Sequence, residues 1–454
     1  MVDVSIVVAA GVLIGGVLIL VAFHGRRRDI MATAEAAATT GSTPVIPTGE
    51  PDSAATLAAT EAVGEAMIDA GYTGATVRRA LEEIAAVNGL PASQVLVFPT
   101  ALMVSARGEG QHRTGAITSG ERRLLLSQVD ELQRTVDAAR KGLLDPDSTV
   151  RRVRSIRETP PPYGPVLRVL GYVLICAGLA VLLGSTWTGV ALSAGLGVVV
   201  GTALLVAERI PRGFASLLTV GMAFLVALVV FLLLRAGWGP GILAALIAPL
   251  VVLLPGVLLT TAALELSTGQ MISGAGRLAA GGWQLVLLAS GIVTAGVIVG
   301  VPDFDFTENP ELLGPWAPWV AVVVFGVGIA VHLCVPRRSI LWMLVVLAMA
   351  YATQVVAAEF VGGVLSAFVG ALLVVPVTAL VARQPRGPAA LVSFMPAFWL
   401  LVPGALGLIG VTDILYGDTS GLNSLVATIS TMVAISLGVL AGSVVSNRME
   451  RPPL

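Results

Sequence analysis

Residues 239–269 read GPGILAALIAPLVVLLPGVLLTTAALELSTG. The run is apolar, is broken by Pro249 and by Pro255 with Gly256, and closes near an acid, Glu265. A second run, residues 387–417, GPAALVSFMPAFWLLVPGALGLIGVTDILYG, follows the same plan. Superposed without a gap, Gly239 meets Gly387, Pro240 meets Pro388, and Pro255 with Gly256 meet Pro403 with Gly404. Glu265 then meets Asp413, and Gly269 meets Gly417. This pattern predicts a membrane protein of two related halves, each built around a proline-broken helix.

Composition agrees. Of 454 residues, 56% are hydrophobic and only 12% charged, against roughly 25% charge in a soluble domain. The charge is concentrated before the long apolar region, which predicts a small soluble domain followed by a polytopic membrane domain. A net charge of −1 gives no reason to expect a nucleic-acid partner. Cys176 and Cys334 both lie in apolar runs, as packing thiols rather than a disulfide framework. With histidines only at 24, 112 and 332, no metal-ligand cluster is expected, and no cofactor.

The first apolar run, from Val4 to Phe23, is long enough to span a bilayer. Arg26, Arg27 and Arg28 follow it, and no basic residue precedes it. That order favours an uncleaved anchor over residues 1–30, with residue 26 onward inside. A start at Met31 is the alternative, and would omit the anchor. Residues 31–56, rich in Ala, Thr, Ser and Pro, read as a flexible linker.

Residues 57–160 read as a small cytoplasmic α+β domain. Helical spacing runs through 57–70 and 75–88, with Gly71 and Gly89 as stops. Residues 94–106 predict one strand interrupted at Pro99, or two, and residues 114–118 a strand pairing back. Amphipathic helices are expected over 121–141 and 148–157.

About ten spans follow, near 166–183, 187–206, 214–234, 240–264, 279–299, 316–335, 339–358, 360–382, 388–411 and 424–446. Alternate loops carry the basic residues: Arg209 and Arg212, Arg277, Arg337 and Arg338, Arg383 and Arg386, Arg448 and Arg451. The intervening loops are short or acidic, and only Arg235 departs from the alternation. By the positive-inside rule the C-terminus is cytoplasmic. Five spans per half is an odd number, so the second half (316–446) is expected upside down relative to the first (166–300). Such inverted repeats form substrate sites at their broken helices.

Pro255, Gly256, Pro403 and Gly404 are therefore expected where the helices open, although a simple packing kink is the alternative. Glu265 and Asp413 follow the breaks and could carry a proton or hold an ammonium group, or be ordinary interfacial acids. Thr260, Thr261, Thr268, Gln270 and Ser273 make the first exit polar, as do Thr412, Thr419, Ser420 and Asn423 the second. These groups suit a small zwitterion, or join helices by hydrogen bonds. Gln354 and Glu359 end the seventh span, Glu359 in a short external turn; His332, one turn from Arg337, reads as a hydrogen-bonded packing residue, with proton relay the alternative. Lys141, the one lysine, is followed by Gly and Leu, so no phosphate-binding Gly-Lys-Ser/Thr loop exists and an ion gradient is the natural energy source.

This order of parts resembles the threonine/serine exporter family, over roughly residues 57–446. The resemblance is carried by TVRRALEEIAAVNGLPASQVLVFPTALMVSA (76–106), LLPGVLLTTAALELSTGQMISGAGRLA (253–279) and LLVPGALG (400–407). It implies proton-driven export of L-threonine and L-serine from the cytoplasm across the plasma (inner) membrane. Some relatives carry the two halves as separate chains. The anchor and linker lie outside the resemblance. The expected partners are a small amino acid, protons and lipid, with a homo-oligomer also open. Two other readings remain. Ser105, Arg107, Glu109 and His112 cluster near a predicted hairpin and could form a hydrolytic site in a membrane-tethered enzyme. A passive channel or scaffold is the third.

Overall fold

The structure is a computed structural model and describes residues 5–20, 53–108, 111–119, 123–209, 212–300, 313–384, 387–401, 408 and 420–450. The chain separates into two compact units. One comprises residues 19–161 together with 265–277, and the other residues 1–18, 162–264 and 278–454. The hairpin 265–277, which the sequence groups with the membrane helices, thus belongs to the α+β unit.

In the α+β unit, helix α2 (Ser53–Asp69) is the centre. It packs against α3 (Gly74–Val87), α4 (Leu126–Arg140), α5 (Pro146–Glu158) and the sheet. Its buried positions, among them Ala59, Thr60, Val63, Ala66 and Met67, recur at three- and four-residue intervals and make one face. The sheet is antiparallel in the order β1 (Gln94–Val97), β2 (Ala101–Gly108), β3 (Gln111–Thr118). Pro99 lies between β1 and β2, where no ladder donor is needed. Val95, Leu102 and Val104 are buried while Leu96 and Met103 are exposed, so one face covers the core. Helix α4 starts at Leu126 rather than near residue 121; the Leu125 N–H donates to Gln128 Oε1 there (2.9 Å). Arg157 ties α5 to α2 through Glu65 (2.6 Å) and the buried Asp69 (2.7 Å).

The second unit is helical. Among the described residues seven helices are long and apolar enough to cross a membrane, or eight if one bent pair is a single span. These are α6 (Pro165–Leu182), α7 (Trp187–Ala207), α8 (Ala215–Arg235), α11 (Met271–Val299), α13 (Ile340–Val361), α14 (Gly363–Ala382) and α16 (Ser420–Glu450). Helices α1 (Ser5–Leu20), α12 (Ala317–His332) and α15 (Ala390–Leu401) are shorter and apolar. The bent pair is α9 (Ala244–Ile247), continued as a tight helix to Leu253, and α10 (Gly256–Ser267).

Glycines decide how these helices meet. Helices α6 and α12 cross antiparallel. A Cβ at Gly178 would lie 2.9 Å from both Ala321 O and Phe325 N. One at Gly328 would lie 2.7 Å from both Gly171 O and Ile175 N. No side chain fits at either place, so the backbones touch. Elsewhere a Cβ at Gly291 on α11 would meet Val220 O, Ala223 Cβ and Phe224 N of α8. One at Gly438 on α16 would meet Phe368 O, Ala371 Cβ and Leu372 N of α14.

The ends of α6 and α12 also match. Gly184 N–H donates to Val181 O (3.0 Å) and Ser185 N–H to Ala180 O (3.1 Å). Cys334 N–H donates to Val331 O (3.3 Å) and Val335 N–H to Ala330 O (2.8 Å). Both stops need a left-handed residue, Gly184 at φ 77° and Cys334 at φ 59°. Cys334 is the one non-glycine with positive φ among the described residues.

Candidate functional site

The break in the bent pair has a local cause. Proline has no N–H and forces the residue before it out of the helical region. Leu254 is accordingly extended, at φ −69° and ψ 129°, and the two segments diverge by 56°. Breaking a helix frees carbonyls, which must find donors away from water. Gln284 Nε2 donates to Leu253 O at 2.6 Å, and the Tyr172 hydroxyl donates to Pro249 O at 2.7 Å. Long-range side chains thus hold the broken geometry.

The break opens onto a cavity of about 450 Å³. Leu254, Gly256 and Val257 form one wall, with the end of α6 beside them. Tyr351 and Gln354 of α13, Ser366 of α14 and Trp399 of α15 face them. A mostly apolar cavity with a few convergent polar groups is the usual form of a small-molecule site. Ser366 Oγ donates to Gly363 O (2.7 Å), and the Tyr351 ring meets Trp319 edge-on with centroids 5.1 Å apart.

The residues expected to form a pathway are divided. Gly256 lines the cavity, and Pro255 beside it is buried. Thr260, one turn along α10, is 2% exposed. Its hydroxyl has no hydrogen-bond partner among the described residues, while its carbonyl accepts from Ser436 Oγ (3.2 Å). Thr261 and Gln270 are half-buried, and Thr268 is exposed with its hydroxyl donating to Glu265 O (3.1 Å). Asn423 is exposed in the first turn of α16. Pro403, Gly404 and Asp413 lie outside the described residues.

Glu265 is not among the residues that line the cavity, and it belongs to the α+β unit. It is 1% exposed. Its Oε1 accepts the Gly74 N–H (3.0 Å), and its Oε2 accepts the Ser273 hydroxyl (2.8 Å). Arg277 Nε lies 3.1 Å from Oε2 as an ion pair whose angle is not that of a hydrogen bond.

Sequence reading missed Tyr351, Ser366 and Trp399 and left Gln354 without a role. The legible signal was Tyr351 with Gln354, three residues apart on one face of an apolar helix. In the suggested hydrolytic cluster, Ser105 Oγ accepts a hydrogen bond from its cross-strand neighbour Thr114 (3.1 Å). Glu109 and the side chains of Arg107 and His112 lie outside the described residues. Among the described residues no three His, Cys, Asp or Glu side chains come together as a metal site.

A family profile described as "Putative threonine/serine exporter" matches residues 59–299, from α2 to the end of α11. The chain is 25% identical over 452 residues to a protein of Mycobacterium tuberculosis named "Probable threonine/serine exporter", covering 95% of this chain and 83% of that one. It is 24% identical over 342 residues to the "Threonine/serine exporter" of Corynebacterium glutamicum, covering 72% and 68%. No solved structure matches it. The family profile takes in more than half of the chain, including the broken helix and its cavity wall, and the chain belongs to the threonine/serine exporter family.

Proposed function

We propose that the protein is a secondary active exporter of L-threonine and L-serine, driven by the proton gradient across the plasma membrane. The observation that carries this reading is the helix broken at Pro255, opening onto a cavity in a chain of this family. A zwitterion needs donors and acceptors together, and a broken helix supplies both from its backbone. Gly256 lines the cavity, and with no side chain it would let a ligand approach α10's first amides closely. Tyr351, Gln354 and Ser366 would then select a small hydroxylated side chain. Pro403, Gly404 and Asp413 complete the pathway from the second half, with Asp413 as proton carrier.

The architecture proposed is ten spans in an inverted 5+5 repeat, with a cytoplasmic α+β domain and C-terminus. The α6–α12 crossing supports it. A single shift of 150 residues carries Gly178 onto Gly328, Gly171 onto Ala321, and Ile175 onto Phe325. The contact made by Gly178 is thereby the contact made by Gly328, with the helices exchanged. Antiparallel helices that exchange identical contacts are related by a two-fold axis across them, the axis of an inverted repeat. A shift of 148 carries Val220, Ala223 and Phe224 onto Phe368, Ala371 and Leu372, each set facing one glycine. The same shift superposes the two proline-broken runs.

Purified protein in liposomes preloaded with unlabelled L-threonine should accumulate labelled L-threonine by counterflow, and an imposed pH gradient should drive net movement. Absence of both removes the substrate assignment. Conductance without saturation would make the protein a channel.

A further inference from the structure

Glu265 has the sequence position of a proton carrier but not its surroundings. Two donors and a cation converge on its two oxygens: the Gly74 N–H and the Ser273 hydroxyl donate to them, and the Arg277 guanidinium pairs with them by charge. Gly74 is the first residue of α3, whose N–H has no partner within the helix. A carboxylate there also meets the positive end of the helix dipole. Thr73 caps the same turn, accepting the Thr76 N–H (3.4 Å). Arg277 reaches on to Tyr72 O (3.4 Å), just before that cap. A Cβ at Gly276 would lie 3.0 Å from the Pro99 ring, between β1 and β2. The hairpin 265–277 is therefore built into the α+β domain by a buried, charge-balanced carboxylate. Helix α10 begins at the break, where Gly256 lines the cavity, and it contains Glu265 nine residues later.

We propose that Glu265 is a positioning residue: it fastens the α10–α11 hairpin to the first turn of α3, so that the α+β domain holds one end of the helix whose other end walls the cavity. The domain then sets the rate at which α10 moves, and the transported proton does not pass through Glu265. The rate arm rests on the transport reading; the attachment arm does not.

The test uses full-length wild type, Glu265→Gln, Glu265→Ala and Ser273→Ala. Limited trypsinolysis in detergent reads attachment through cleavage after Arg277. Counterflow and gradient-driven flux of threonine in liposomes read rate. Glu265→Gln should speed cleavage about tenfold and lower the Vmax of both fluxes by one common factor, with KM and the pH profile unchanged. Ser273→Ala should speed cleavage about threefold with the same common loss, and it keeps the test open if Glu265→Ala does not accumulate. Wild-type cleavage in Glu265→Gln, with counterflow kept and only gradient-driven flux lost, would make Glu265 the proton carrier and overturn the proposal. Unchanged cleavage in Ser273→Ala would also overturn it. If wild type shows neither flux, the transport reading fails while cleavage still decides the attachment.

Discussion

The two ends of α10 differ in what surrounds them. At Gly256 the helix starts at the wall of a mostly apolar cavity with few polar groups. At Glu265 the same helix is held by two hydrogen-bond donors and an arginine in a buried ionic cluster. One end has room for a ligand, and the other has had its polar capacity filled. Polar residues along one membrane helix therefore need not serve one pathway. What decides is whether the side chain's partners are already present.

The sharpest way to break this comparison is at the filled end. Glu265→Ala strands Arg277 in a largely buried site, and losing one partner of a buried pair costs about 3–5 kcal/mol. Thermal unfolding of the α+β unit, followed in the full chain, should register that loss. At the open end, Gly256→Trp places a large ring in the cavity wall. Threonine flux should fall about 100-fold, the scale of a misplaced substrate, with no change in the unfolding of the α+β unit.

Between these lies the test of symmetry. Gly178→Val and Gly328→Val put equivalent side chains into equivalent backbone contacts. Each should destabilise the helical unit by about 1–3 kcal/mol, the usual cost of overpacking, and the two losses should match. Unequal losses would argue against a two-fold relation. Gln354→Ala removes one polar group facing the break, and should raise the KM for threonine about tenfold, the worth of one hydrogen bond to a charged or polar ligand.

The smallest effect is a control remote from both ends. Asp145 caps α5, and the N–H and hydroxyl of Ser148 hold its carboxyl below the ordinary range. A depressed folded pKa contributes stability above the unfolded pKa, and loses it as pH falls through the folded value. Asp145→Ala should cost about 1 kcal/mol at neutral pH. The deficit should vanish in acid, and threonine flux should not change.

Local rules explain what was legible beforehand. Pro255 announces a break because any helix must respond to it, and Pro99 separates two strands for the same kind of reason. The glycine stops at Gly71 and Gly89 both take positive φ. The partners of Glu265 were not legible, since Gly74 lies 191 residues away and offers only a backbone N–H. No residue type marks such a donor. Nor do Tyr351, Gln354, Ser366 and Trp399 announce a shared cavity, because three helices must pack before they meet. The reciprocal contacts of Gly171, Gly178 and Gly328 are hidden likewise, as a glycine in a long apolar run carries no sign of which backbone it touches.

The account turns on the cavity at the break being where substrate sits. Cysteine placed at Gln354, and separately at the exposed Thr268 in the turn just after α10, can be alkylated in the full-length protein, whose own Cys176 and Cys334 are buried. L-threonine should slow alkylation at position 354 in proportion to its occupancy, L-leucine should not, and position 268 should be indifferent to both. Unprotected alkylation at position 354 in protein that still transports threonine would contradict the account.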